Sequence, residues 1–110
     1  MPTTPAGPPY DEFRAAAEAA VAARPDADLE MALEVFREAA TLLHDSLALD
    51  GLDDHDRAAV VAALGADLAA EDPGTAIRAR AGAARLHPGD LHDPAAVEAA
   101  YLVSAQVLQL

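Results

Sequence analysis

The sequence predicts an all-α domain of about five helices packed as antiparallel helix hairpins, and three observations lead there. Alanine, the best helix former, supplies much of the 53% hydrophobic content. No stretch shows the two-residue alternation of β-branched and polar residues that a strand requires. Pro, Gly and Asp punctuate the chain where helix ends and caps belong. A chain of 110 residues suffices for one domain with one modest core. Aromatics are only 4%, so that core rests on a limited set of Leu, Val, Ile and Phe, each contributing about 1.5–3 kcal/mol when fully buried.

The elements follow in order. Residues 1–9 contain Pro2, Pro5, Pro8 and Pro9 and read as a flexible leader to a single helical domain over 10–110. A first helix is expected from near Tyr10, with Asp11 and Glu12 at its positive end. Phe13, Ala17, Ala20 and Val21 share one face, and Pro25 stops the helix. Asp26 or Asp28 can cap the second helix. Leu29, Leu33, Phe36, Ala40, Leu43 and Leu47 make its apolar face, to about Leu49, with Gly51 as the stop. A third helix follows a cap at Asp53 or Asp54, with Val61, Leu64 and Leu68 on one side. Asp72-Pro73-Gly74 marks a turn, after which Thr75 caps a short fourth helix through Leu86. His87-Pro88-Gly89 ends it, and Asp93-Pro94 opens a fifth helix running to the chain end.

The fifth helix is apolar round most of its circumference. From Val97 onward its polar residues are Glu98, Ser104, Gln106 and Gln109, while Tyr101, Leu102, Val103, Val107, Leu108 and Leu110 spread widely. Such a helix requires burial on most sides, which predicts a homo-oligomer or a protein partner over it.

The formal charge is −12 and all seven basic residues are Arg. A negative surface argues against nucleic acid, whose binding depends on positive charge that releases counterions, and against an anionic membrane surface. The acidity reads chiefly as solubility; occupation of a basic partner, as an acidic inhibitor, is the functional alternative. Without cysteine there is no disulfide, thiol nucleophile or Cys-ligated zinc. The N-terminal residues lack the basic and apolar regions of a signal peptide, and no apolar run approaches a membrane span, so a cytoplasmic location is expected.

Two segments share a spacing. In Ala32–Leu42 and Ala76–Leu86, Ala recurs after seven residues (Ala32 to Ala39, Ala76 to Ala83), with Leu42 and Leu86 three further on. Pro88 and Asp90 close the second copy, and Phe36 stands at an aromatic position in the first. This pattern resembles the second helix of a tetratricopeptide repeat. Asp56-Arg57-Ala58-Ala59 with Leu64-Gly65 is similar to the opening of repeats in actinobacterial multi-repeat proteins. Arg80 at the aromatic position of the second copy, and His44 in place of Pro in the first, depart from the pattern. The resemblance implies helix hairpins that hold a protein partner. Gly65 and the paired alanines would let helix axes approach closely.

Chemical sites are sparse. Three His-Asp dipeptides occur, His44-Asp45, His55-Asp56 and His92-Asp93. They admit a small metal-dependent helical hydrolase, but lie near helix ends, where Asp serves as a cap. Asp50-Gly51-Leu52-Asp53-Asp54-His55-Asp56 offers oxygens to a hard cation, without the twelve-residue loop and terminal Glu of a specific calcium site. Glu30, Glu34 and Glu38 step by four, as a solvated helix face does. Arg78, Arg80 and Arg85 form a positive ridge on the fourth helix that can take an acidic peptide or carboxylate, or pair with the acidic second and third helices of its own chain. No catalytic, cofactor or metal residue is assigned. The expected reading is a non-enzymatic interaction or assembly module, with Arg78, Arg80, Arg85, Tyr101, Leu102 and Val103 as candidate partner contacts.

Overall fold

A computed structural model describes residues 8–23, 28–46 and 48–110. Among the described residues there are five helices: α1 (Pro8–Ala22), α2 (Leu29–Ser46), α3 (Asp54–Leu68), α4 (Pro73–Leu86) and α5 (Pro94–Val107). No strand occurs among the described residues. Of the expected leader, residues 1–7 lie outside the described residues, as do Pro25, Asp26 and Leu47.

Local chemistry moves several boundaries. Helix α1 begins at Pro8, before the expected Tyr10, because a proline in the first turn lacks only an N–H that has no helical partner. Asp28 caps α2, accepting from the Met31 amide at 3.2 Å. That helix ends at Ser46 and not near Leu49: the Ser46 hydroxyl donates to the Leu43 carbonyl at 2.9 Å and accepts from the Ala48 amide at 3.3 Å. Helix α4 starts at Pro73, capped by Asp72 where Thr75 was expected. The Asp72 carboxylate takes both the Thr75 amide at 3.3 Å and the Thr75 hydroxyl at 2.7 Å. Helix α5 stops at Val107, short of the chain end. Gln109 adopts φ 59°, and the Leu110 amide closes the turn on the Ala105 carbonyl at 2.9 Å.

The helices pack in pairs, α1 with α3 and α4 with α5 most extensively, then α1 with α2. Helices α2 and α3, although consecutive, make little direct contact. Gly65 explains the closeness of α1 and α3: a Cβ there would stand 2.8 Å from the Ala16 Cβ and 3.0 Å from backbone atoms of Ala16 and Ala17. On α1, Phe13, Ala17 and Val21 are buried; on α2, Phe36, Ala39, Ala40 and Leu43. Phe13 and Phe36 meet edge to face at 6.4 Å and 73°. Val60, Val61 and Leu64 from α3 and Ile77 from α4 complete the centre with Val97, Ala100 and Tyr101 from α5. Leu49 and Leu52, in the connection after α2, are also buried.

Candidate functional site

Two of the three His-Asp dipeptides come together where the first turn of α3 meets the connection between α4 and α5. Asp53 is the N-cap of α3, its side chain accepting from the Asp56 amide at 2.8 Å. Asp56 sits three positions on, where a capping-box acid would reach back to the cap. Its carboxylate, only 1% exposed, instead crosses to the α4–α5 connection. It accepts from the His92 amide at 3.0 and 3.1 Å and from the Asp93 amide at 2.8 Å. Asp93 in turn caps α5, taking the Ala96 amide at 3.1 Å. The carboxylates therefore form a relay of caps joining the starts of two helices.

The histidines lie across this relay. His92 Nδ1 is 2.5 Å from the other Asp53 oxygen, and the rings of His55 and His92 stack at 4.6 Å and 21°. The Asp53 hydrogen bond and then its charge raise His92 above its usual 6.5. Asp53 is held below its usual 3.8, chiefly by the Asp56 amide and then by His92. Ligand atoms of Asp53, Asp56 and His92 lie within 4.8 Å of one another, and among the described residues these three are the group placed to hold a cation. Each oxygen of the buried Asp56 carboxylate already accepts a backbone amide, and one imidazole is a small nitrogen share for a transition metal. The arrangement serves first to fasten α5 to α3. Of the remaining dipeptide, the His44 side chain lies outside the described residues. Of the other acids in the Asp50–Asp56 stretch, Asp50 is exposed and Asp54 pairs with Arg57 at 2.8 Å.

The arginine ridge is engaged within the chain. Arg80 Nε donates to Asp67 on α3 at 2.9 Å, and that carboxylate is 10% exposed. Arg85 approaches Glu98 on α5 at 3.8 Å, and Arg78 donates to the Leu110 carbonyl. The partners are thus α3, α5 and the last residue. The partners expected on α3 are found; Glu30, Glu34 and Glu38 of α2 are not among those described.

Tyr101, expected on the contact surface, belongs to the core at 5% exposure, and burial raises its phenol above the usual range. Leu102 and Val103, its neighbours on α5, are exposed. Val103 edges a groove of about 340 Å³ between the end of α2 and α5, with Ser46, Ala48, Gly51, Ala96 and Ala99 among its lining residues. Met31, Val35 and Leu42 on α2 and Leu86 on α4 are the other exposed large apolar residues among those described. Met31 and Val35 are not among the sequence-derived candidates. Their signal is the four- and seven-residue step from Met31 through Val35 to Leu42, which holds one face of the helix.

No protein-family model matches the chain, and no characterised protein or solved structure is significantly similar to it. Among the described residues, no helix is long and apolar enough to cross a membrane.

Proposed function

We propose that the chain is a non-enzymatic protein-interaction or assembly module. The observation that carries this reading is apolar surface left on two helices, Met31, Val35 and Leu42 on α2 and Leu102 and Val103 on α5. Scattered apolar side chains are ordinary on a protein surface. Three aligned on one helix, with a further pair on a second that contacts the first, give a docking face its starting material. The tetratricopeptide-like spacing supports the same reading. Leu42 and Leu86, the corresponding residues of the two like-spaced segments, both stand on the surface.

The test compares wild type with Val35→Ser/Leu42→Ser and Leu102→Ser/Val103→Ser, each checked for fold by circular dichroism. Proteins crosslinked in native lysate to wild type, and lost from at least one variant, support the module. An identical set from all three forms refutes it. Sedimentation of the same forms reads self-association through α5.

A second reading, a metal-dependent hydrolase, draws on the Asp53, Asp56 and His92 cluster. Stoichiometric metal in purified protein, lost in His92→Ala, supports it. Calorimetric titration with Zn²⁺ and Mn²⁺ that shows only millimolar or weaker heat removes it.

A further inference from the structure

We propose that the exposed face of α2 receives a basic amphipathic helix from a partner protein; this rests on the interaction-module reading and names the partner's chemistry. Met31, Val35 and Leu42 are 66%, 51% and 46% exposed. At 3.6 residues per turn they fall within an arc of about 40°, along about 16 Å of helix axis. That length matches three turns of a docked helix.

Charge complementarity selects the occupant. Glu38 borders the strip, and Glu34 and then Glu30 follow on the same side of it, all exposed. On the other side the strip runs toward Ala39, which is buried against the core. The face is therefore apolar along one edge and acidic along the other. Arg37 is the one basic residue of α2 with a described side chain that adjoins these acids, and it pairs with Glu34 at 3.0 Å. Glu30 and Glu38 have no cationic partner among the described residues. A shallow depression lined by Arg37, Glu38, Thr41 and Leu42 gives an incoming side chain a seat beside the strip.

A second copy of this chain meeting this face with its own α2 fits it poorly. It would bring Glu30, Glu34 and Glu38 against their own equivalents in a protein whose formal charge is already −12. A helix with Leu or Ile along one stripe and Lys or Arg beside it covers the apolar edge and meets the acids in a single orientation.

The experiment uses the full chain with two synthetic peptides of about four turns. Both carry the same leucine stripe; one is flanked by Lys and the other by Glu. Binding is followed by fluorescence anisotropy, and every protein variant is first checked for fold by circular dichroism. The Lys peptide is expected to bind, and to weaken at least tenfold between about 50 and 300 mM salt. Val35→Ser/Leu42→Ser and Glu30→Gln/Glu38→Gln should each weaken it at least tenfold.

Four outcomes overturn the proposal. Equal binding of the Glu peptide does so, as does no binding of the Lys peptide. Binding indifferent to Val35→Ser/Leu42→Ser reduces it to general attraction for an acidic chain. A wild-type dimer dissolved by that double variant gives the face to a second copy. In each case the interaction reading stands or falls separately, on the lysate crosslinking and on the α5 variant.

Discussion

Replacing Asp56 by alanine should loosen the attachment of α5 to α3 more than any other single surface-adjacent change. The carboxylate is 1% exposed and accepts two backbone amides, from His92 and Asp93, at 2.8 to 3.1 Å. A hydrogen bond to a charged group contributes about 1.5–3 kcal/mol. Two such bonds, less what water entering the gap recovers, put the loss at about 3 kcal/mol. A domain of this size has about 5–15 kcal/mol in total, so the variant should fold but with a narrow margin. With a urea slope of about 2 kcal/mol per molar, the unfolding midpoint falls by about 1.5 M. Hydrogen exchange at the His92 and Asp93 amides supplies the local reading, and both should lose protection before the centre of α3 does. A loss below about 1 kcal/mol with unchanged exchange at those amides would refute the role given to Asp56.

Further substitutions test the packing and the electrostatics. Gly65→Ala drives a methyl into α1 and should cost about 1–3 kcal/mol. Gly82→Ala, with nothing within 4 Å of the new atom, should stabilise α4 by about 0.5–1 kcal/mol in the same denaturation assay. Arg80→Ala strands the Asp67 carboxylate, 10% exposed, and should cost about 1–2 kcal/mol. Arg85→Ala, at an exposed 3.8 Å pair, should change stability by less than about 0.5 kcal/mol. For the Asp53–His92 pair the sign follows from the two shifts. His92, raised above 6.5, contributes fully below its unfolded value, and that contribution is lost as pH rises through its folded value. Asp53, lowered below 3.8, contributes above 3.8 and loses that contribution as pH falls through its folded value. The pair is therefore strongest between these limits. NMR titration should place His92 above 6.5, and His92→Gln should flatten the decline in stability on going from pH 6 to 8.

Much of the fold was legible because its signals are local. Asp93-Pro94 marks the start of α5 and the break at Asp72-Pro73 the entry to α4, though not its cap, and the spacing of Phe13, Ala17 and Val21 and of Phe36, Ala40 and Leu43 places two core faces correctly. Gly65 announced a close helix crossing without naming its partner, since nothing in the sequence around a glycine specifies which helix will lie on it. Asp56 was less legible still. By position it is an ordinary acid in the first turn of a helix, while its partners are backbone amides 36 and 37 residues away, which have no side-chain signature. Tyr101 was misplaced for a related reason: on a helix apolar nearly all round, periodicity cannot separate the side facing the core from the side facing water.

The packing of α1 against α3 also governs how the chain must assemble. Its most extensive interface joins helices separated by the whole of α2, so a long loop has to close before that contact can form. Contacts of this kind slow folding relative to a bundle whose neighbours pair in turn. During synthesis, Phe13, Ala17 and Val21 emerge first and wait some seconds for Val60, Val61 and Leu64, at about 5–20 residues per second. In that interval α2 is the partner helix already available to α1, and the edge-to-face contact of Phe13 with Phe36 is a native contact the two can make. The α4–α5 pair, made last and from adjacent sequence, can form on its own time and then be pinned by Asp56.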